Sequence, residues 1–368
     1  MLVSARVEAA VERARVSAFT VPTEGPESDG TAEWAETTMV VVELEAGGSV
    51  GLGYTYASPA AATVVERRLL PVVEGRSALE VGAVWAAMAD SVRNDGRPGI
   101  SSHAVAAVDT ALWDLKARLL ELPLCHVLDS VRESVPVYGS GGFTSYAVER
   151  LQEQLSDWVE AGIPRVKMKV GREPDADVER VAAAREAIGP HTELFVDANG
   201  AYPRKLALWM AEAFAEQGAS WFEEPVSSDD LEGLRLLRDR APAGMEIAAG
   251  EYGYTLPYFR AMLQAGAVDC LQADATRCEG FTGFLRVGAL AAAHQLEVSA
   301  HTAPALHLHA CCAVPALRHL EWFHDHVRIE RMLFDGAPEP DGGELRPDVS
   351  RPGLGLELKR ADAERYAA

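Results

Sequence analysis

Six ionisable side chains stand at regular intervals along the second half of the chain. Consecutive members are 23 to 28 residues apart and each ends a short apolar run; they are Lys169, Asp197, Glu223, Glu251, Asp274 and His301. The segments between these runs are long enough for a helix, so the pattern alternates strand and helix. In a barrel built this way the carboxyl ends of the strands form one mouth, which predicts a shared cavity for the six side chains.

Three of the six are carboxylates at the ends of successive predicted strands: Asp197, Glu223 and Glu251. Strand alternation places Asp197 on the inner face. Hard oxygen ligands without Cys or His favour Mg²⁺ over zinc. Any one acid is more often part of a salt bridge at the rim of a barrel. Three at consecutive strand ends instead predict a bound Mg²⁺ ion.

Two lysines share the inner face of one strand, because Lys167 and Lys169 are two residues apart. Burying both ammonium groups requires anionic partners, which the carboxylates and a substrate carboxylate would provide. We expect mutual repulsion and the metal ion to lower the pKa of whichever lysine lacks a close anion, so that this lysine can act as a base. The alternative is a lysine pair on an exposed edge strand.

An acid and a histidine end the sixth and seventh predicted strands. Asp274 would hold the imidazole of His301 in one tautomer and raise its basicity. Taken alone, His301 could be a structural histidine with its hydrogen bonds made inside the protein, and Asp274 could cap a helix. The two together at this spacing favour a catalytic dyad. On the eighth strand, Glu321 is predicted to present a protonated carboxyl to an oxygen that gains negative charge.

Composition excludes several function classes. The chain has 34 Lys and Arg against 55 Asp and Glu, and the formal charge of −21 argues against a nucleic-acid partner. The five cysteines form no Cys-x-x-Cys pair, which fits reduced thiols. We find no leader peptide pattern and no apolar run near the roughly 18 residues that span a bilayer, so a cytoplasmic protein without membrane contact is expected.

The N-terminal third predicts a small α+β domain, residues 1–125. Strands are expected at 3–19 and 37–56, and helices near 61–72, 79–92 and 102–120. The polar segment 20–34 contains Gly and Pro, and we interpret it as a loop that is either a lid over the active site or a surface excursion.

A barrel follows over residues 126–325, and a tail of 326–368 is expected to fold back onto the first domain. Barrel helices are predicted near 146–161, 175–188, 203–217, 229–239, 256–265 and 281–294. The helix after strand seven is expected to be short and irregular, and the tail, rich in Gly, Pro and Asp, to have few periodic segments.

Two other motifs carry little weight. His307, His309, Cys311 and Cys312 lack the spacing of a zinc site, because residues i and i+2 do not share a helix face. The Gly-rich run 139–142 lacks the dinucleotide-binding pattern and is interpreted as the first barrel loop.

With these residues identified, the chain resembles the enolase superfamily, in its mandelate racemase subgroup, over nearly its whole length. The resemblance rests on a Lys-x-Lys strand, three acidic ligands and an Asp–His pair, here Lys167, Lys169, Asp197, Glu223, Glu251, Asp274 and His301. The segment 107–118 is similar to the family's junction helix, whereas 123–129 departs from its usual Leu-Leu-Gly-Gly turn. The implied fold is α/β, a modified TIM barrel of the (β/α)₇β type with an N-terminal α+β capping domain.

The resemblance also implies a reaction. The proton α to a carboxylate is removed to give an enediolate whose oxygens lie on Mg²⁺ and near Lys167. Lys169 and His301 face opposite sides of the α-carbon, and Glu321 stabilises the oxyanion. Further substrate contacts are expected from Ser140 and from Tyr54 in the segment Tyr54-Thr-Tyr56.

We favour an acid-sugar dehydratase that forms a 2-keto-3-deoxy acid, with His301 as the acid that expels the β-hydroxyl. A racemase or epimerase of a 2-hydroxy acid is the alternative. A non-catalytic metal-binding protein would be favoured if a base were missing, but all are present. A metal-dependent hydrolase fits less well, because two lysines suit an enolate better than a hydroxide nucleophile. We expect a homo-oligomer that binds a small carboxylate substrate.

Overall fold

The structure, a computed structural model, describes residues 9–368 and begins with a three-stranded antiparallel sheet. The strands, in the order β1-β2-β3, are β1 (Arg13–Ser28), β2 (Glu33–Ala46) and β3 (Ser49–Tyr56). The first residues of the predicted strand 3–19, up to 8, lie outside the described part. Gly47 and Gly48 both have positive φ and make the tight turn between β2 and β3.

The prediction of a loop at 20–34 is wrong. β1 continues to Ser28 and β2 begins at Glu33, so the segment is the end of a hairpin. Val21 pairs with Thr37, and a register shift between Pro22 and Glu27 absorbs the Pro and Gly residues that suggested a loop. The physical reason is that polar residues pair readily in a strand that has one solvated face.

Helices cover one side of this sheet. They are α1 (Ala60–Val64), a π-helical turn (Val65–Leu69), α2 (Leu70–Val73), α3 (Val81–Ser91), α4 (Ile100–Leu119) and α5 (Leu124–Val127). The long helix α4 is buried along most of its length, because it packs against β3 on one side and the barrel on the other. It therefore fixes the capping sheet relative to the barrel.

Eight parallel strands close into a barrel, since the last strand pairs with the first. The strands are β4 (Val135–Gly141), β5 (Arg165–Lys169), β6 (Glu193–Asp197), β7 (Ala219–Glu223), β8 (Glu246–Ala249), β9 (Cys270–Ala273), β10 (Glu297–Ala300) and β11 (Leu317–Phe323). This closed barrel with an antiparallel capping domain confirms the predicted fold class.

Seven helices surround the barrel, and the six that had predicted bounds lie within two residues of them. They are α6 (Val148–Glu160), α7 (Pro174–Ile188), α8 (Arg204–Glu216), α9 (Leu231–Arg240), α10 (Leu256–Ala265), α11 (Gly280–Ala293) and α12 (Pro304–Cys312). The last of these is fully buried, which explains why its sequence shows no polar face. Among the described residues, no helix is long and apolar enough to cross a membrane.

The tail is more regular than its composition suggests. It forms α13 (His324–Leu333), β12 (Phe334–Asp335), β13 (Glu344–Leu345), β14 (Glu357–Leu358) and α14 (Arg360–Ala363), followed by a 3₁₀ turn (Glu364–Tyr366). β13 pairs with β4, and the backbone N–H of Ala368 donates to the carbonyl of Ala18. The tail thus contacts both the barrel and the capping sheet.

Asp114 on α4 links the capping sheet to the tail. Its carboxylate accepts the N–H of Leu52 at 2.7 Å, the N–H of Leu354 at 2.6 Å and the Nε of Arg118 at 2.7 Å. Asp114→Ala leaves these buried donors unpaired, so we expect a loss of about 3 kcal/mol of unfolding free energy by chemical denaturation. The exposed Asp157→Ala on α6 is the control, and an equal effect of both variants would contradict this role.

Candidate active site

A cavity of about 440 Å³ lies between the capping hairpin and the carboxyl ends of the barrel strands. From the barrel, Lys169, Glu251, His301 and Glu321 line it. The capping sheet contributes residues of β2 and β3. A volume of this size suits a small molecule. The structure therefore brings four of the sequence-predicted residues to one cavity.

The three predicted metal ligands converge at the barrel mouth. Asp197 and Glu223 are the last residues of β6 and β7 and pair in register, and Glu251 follows β8 by two residues. All three are buried, and one carboxylate oxygen of each lies within 4.8 Å of the others. Burial and the neighbouring Asp197 carboxylate raise the pKa of Glu223 to about 8. Such crowded oxygen donors fit Mg²⁺, which would relieve their repulsion.

Both lysines of β5 form ion pairs with these carboxylates. Lys167 Nζ lies 2.6 Å from Glu223 and 2.9 Å from Glu321, and Lys169 Nζ lies 2.5 Å from Asp197. The expected lowering of a lysine pKa does not occur, because neither lysine lacks a close anion. Burial favours the neutral amines and lowers the pKa of both lysines. The neighbouring carboxylates have the larger effect, so the pKa of both lysines is raised.

His301 is held by a carboxylate on each ring nitrogen. Its Nδ1 donates to Asp274 Oδ2 at 2.8 Å, and its Nε2 lies 3.1 Å from Glu251 Oε2. Burial opposes the charged form, but Glu251, Glu321 and Asp274 raise the pKa of His301 to about 9. The predicted dyad geometry is therefore present, with the reactive Nε2 directed towards the metal ligands.

Glu321 lies beside Lys167 and His301, and its surroundings do not favour the predicted protonated state. One oxygen lies 2.9 Å from Lys167 Nζ, and the other accepts the N–H of Thr302 at 3.1 Å. Although burial favours the neutral acid, Lys167 and then His301 lower the pKa of Glu321 to about 2. The contact with a buried lysine thus favours the ionised carboxylate.

Of the three predicted substrate contacts, Lys167, Ser140 and Tyr54, none lines the cavity. Ser140 on β4 is fully buried and pairs in register with Lys167. Tyr54 is also buried, and its hydroxyl donates to Glu330 at 2.7 Å. Tyr54 and Tyr56 share a strand face, but only Tyr56, at the end of β3, reaches the cavity. The structure therefore does not support Tyr54 as a cavity residue, because its hydroxyl is buried against Glu330.

Sequence reasoning missed Arg277, whose guanidinium lines the cavity. Its Nη1 donates to Glu251 Oε1 at 3.2 Å, and its Nε lies 3.6 Å from Asp274 Oδ2. The only available signal was its position three residues after Asp274, in the loop that follows a barrel strand. Arg277 orients both carboxylates that contact His301.

The histidines of α12 have structural roles. The Nε2 of His307 accepts the N–H of Ala275 at 2.7 Å, and the Nδ1 of His309 accepts the N–H of Cys125 at 3.1 Å. Within residues 9–368, Asp197, Glu223 and Glu251 are the only three-residue group of His, Cys, Asp or Glu spaced to hold a metal.

Two family models match the chain. The model described as Enolase C-terminal domain-like matches residues 150–363, and that of the mandelate racemase/muconate lactonizing enzyme N-terminal domain matches residues 14–128. The two matches correspond to the barrel with its tail and to the capping domain.

Curated relatives include two kinds of enzyme. A 3,6-anhydro-α-L-galactonate cycloisomerase from Streptomyces coelicolor is 33% identical, covering 95% of this chain and 97% of the relative. An L-talarate/galactarate dehydratase from Salmonella typhimurium is 30% identical over 82% of this chain and 77% of the relative.

Solved structures agree with this placement. A mandelate racemase/muconate lactonizing enzyme-like protein from Rubrobacter xylanophilus is 62% identical, with a TM-score of 0.96 over 98% of this chain and 100% of that one. An L-talarate dehydratase from Polaromonas, complexed with Mg and L-glucarate, is 31% identical, with a TM-score of 0.88 over 98% and 97%. The chain belongs to the mandelate racemase/muconate lactonizing enzyme family of the enolase superfamily.

Proposed function

We propose that this protein is an acid-sugar dehydratase that depends on Mg²⁺. The observation that carries the proposal is the placement of two bases on opposite sides of the carboxylate cluster. Lys169 contacts Asp197, and His301 contacts Glu251. A substrate carboxylate bound at this cluster would present its α-carbon between the two bases.

The residues Asp197, Glu223 and Glu251 would hold the metal. When bound, Mg²⁺ supplies positive charge that stabilises the deprotonated substrate and offsets the carboxylate charges that raise the pKa of Lys169 and His301. The ammonium of Lys167 is buried outside the cavity lining and pairs with Glu223 and Glu321, so it holds these two carboxylates in place.

Proton movement is assigned to the two bases. Lys169 removes the α-proton from one face. His301, oriented by Asp274, then donates a proton from Nε2 to the departing β-hydroxyl, so that water leaves and the enol product becomes a 2-keto acid. With the opposite α-configuration, His301 is the base instead.

A racemase or epimerase is the second candidate, because bases on two faces also suit inversion at the α-carbon. The dehydratase and the racemase can be distinguished by their products. The dehydratase needs a β-hydroxyl on the substrate and releases water, whereas the racemase returns the same atoms with inverted configuration.

The test is a screen of an acid-sugar library with Mg²⁺ present. We expect 2-keto acid formation from at least one member, detected as a semicarbazone. Removing the metal with a chelator is expected to stop the reaction. Inversion without 2-keto acid would support the racemase instead, and the absence of both products over the library would contradict both candidates.

We further propose that the protein is cytoplasmic and homo-oligomeric. The absence of Cys-x-x-Cys pairs supports the reducing compartment. Sedimentation of the purified protein measures the oligomeric state, and a single species of 39.6 kDa would contradict it.

A further inference from the structure

His326 on α13 lines the active-site cavity, and the proposed proton transfers give it no role. Its Nδ1 accepts the backbone N–H of Ala303 at 3.2 Å, and Ala303 follows the base His301 by two residues in the chain. The carboxylates of Asp274 and Glu321 are also near enough to act electrostatically on the ring. His326 therefore lies at the barrel mouth, beside the residues to which the chemistry is assigned.

Aromatic contacts hold the imidazole of His326 in one orientation. Its ring stacks on Tyr56 with centroids 3.4 Å apart and an interplanar angle of 10°, and Phe323 meets it edge-on at 5.1 Å. The Tyr56 hydroxyl donates to the carbonyl of His326 at 3.3 Å, which joins the capping sheet to α13. A ring that is already ordered loses little conformational entropy when it binds a ligand.

One nitrogen of this ring is a hydrogen-bond donor without a protein partner among residues 9–368. Because Nδ1 accepts the N–H of Ala303, the neutral ring carries its proton on Nε2. Burial, together with the nearby His301, lowers the pKa of His326 to about 3, so the ring stays neutral. Nε2 forms no hydrogen bond with the described residues, and the side chain is only partly buried. The N–H group is therefore available to a molecule in the cavity.

The neighbouring charges indicate which kind of ligand atom this donor suits. Lys169 and Arg277 line the cavity as cations and are the better partners for a carboxylate, because charged hydrogen bonds are the stronger ones. Beside His326, the carboxylates of Asp274 and Glu321 oppose a further anion. A neutral N–H in these surroundings suits an uncharged oxygen, and the hydroxyl of a polyhydroxy acid is such an oxygen.

We propose that His326 binds the substrate, with its Nε2–H donating to an uncharged hydroxyl that lies beyond the α-carbon on the side of His301. This inference rests on the proposed function, because it requires a polyhydroxy acid with its α-carbon between the two bases. The hydrogen bond at Nδ1 and the stack on Tyr56 suffice to join α13 to the barrel and to the capping sheet. The donor at Nε2 is the part of the side chain that this structural role leaves unused.

Two variants separate the donor from the rest of the side chain. In His326→Asn the amide oxygen lies near the place of Nδ1 and can accept the N–H of Ala303, but no N–H replaces Nε2. In His326→Gln the amide lies near the place of Nε2 and restores a donor, but nothing accepts from Ala303. For an acid that uses this hydrogen bond, we expect binding at least about fivefold weaker in His326→Asn and within about twofold of wild type in His326→Gln.

The measurement is calorimetric binding of acid sugars to the full-length protein with Mg²⁺ present. The acid that binds most tightly among D-gluconate, D-galactonate, L-rhamnonate and galactarate is compared with analogues in which one hydroxyl beyond the α-carbon is replaced by hydrogen. At one position, removal of the hydroxyl should weaken binding to wild type at least about fivefold, as for loss of one hydrogen bond. In His326→Asn the same removal should change the affinity by less than about twofold, because the donor is already absent.

His324→Asn is the matched control, because His324 lies on the same helix, pairs with Glu24 and does not line the cavity. It should bind every acid as wild type does. Titration of the three variants with Mg²⁺ should give the wild-type affinity, since neither histidine belongs to the triad.

Weaker binding that is equal for the parent acid and for every analogue in His326→Asn would overturn the inference, because the loss would not depend on a hydroxyl. Weaker binding in His326→Gln than in His326→Asn would also overturn it, in favour of a purely structural contact with Ala303. Failure of all four acids to bind would overturn both the inference and the proposed function. A hydroxyl that depends on His326 in an acid without α-proton exchange in D₂O would refute the proposed function alone.

Discussion

Lys169→Ala is expected to abolish α-proton exchange for one configuration of a substrate, and His301→Asn is expected to abolish it for the other. The two residues contact opposite ends of the carboxylate cluster, so each serves one face of the α-carbon. A loss of at least about 1,000-fold is expected for the affected configuration, as for removal of a general base. NMR in D₂O with Mg²⁺ present measures the exchange.

Asp274→Asn should slow only the α-proton exchange that depends on His301. The reason is that Asp274 orients the imidazole through the 2.8 Å hydrogen bond to Nδ1. The controls are Lys205→Ala and His294→Asn, which change exposed residues on the outer surface. Full turnover with an intact exchange pattern in His301→Asn would show that the dyad is structural.

Glu223→Gln is expected to weaken Mg²⁺ binding by at least about 100-fold, or about 2.7 kcal/mol. Glu223 is the central member of the triad, and the substitution removes a charged oxygen ligand. Calorimetric titration with Mg²⁺ measures the affinity. Thermal unfolding gives a second readout, since a bound ion stabilises the wild-type protein but should not stabilise the variant.

Lys167 keeps Glu321 as a partner in this variant, which favours a folded protein. Glu246→Gln is the control, because Glu246 begins β8 at the opposite end of the barrel and pairs with Arg318. Equal Mg²⁺ affinity in Glu223→Gln and wild type would contradict the ligand assignment.

The barrel could be predicted from sequence because its signals are local. Each strand is a short apolar run that ends in a polar residue, and each helix has a 3.6-residue period, so positions such as Asp197 and Glu223 could be placed at one mouth. The capping hairpin was missed because Pro22, Gly25 and Pro26 are turn residues in most contexts, and a shift in strand register is not visible in one sequence.

The protonation states and the cavity residues of the capping sheet and the tail could not be predicted, because they depend on contacts between residues that are distant in the sequence. The pKa of Glu321 is lowered by contact with Lys167, which lies 154 positions earlier in the sequence. Tyr56 lines the cavity and stacks on His326, which lies in a tail that the sequence suggested would have few periodic segments. The periodic pattern of a single sequence does not indicate contacts between residues this far apart.

Exchange of the α-proton of an acid sugar with D₂O by the wild-type protein tests the central claim most directly. The claim is that Lys169 and His301 remove a proton next to a carboxylate held at the triad. The prediction is incorporation of deuterium at the α-carbon of recovered substrate that requires Mg²⁺. For each α-configuration it disappears when the base that serves that face, Lys169 or His301, is replaced. An acid that is turned over in the presence of Mg²⁺ while its α-C–H bond stays intact would contradict it.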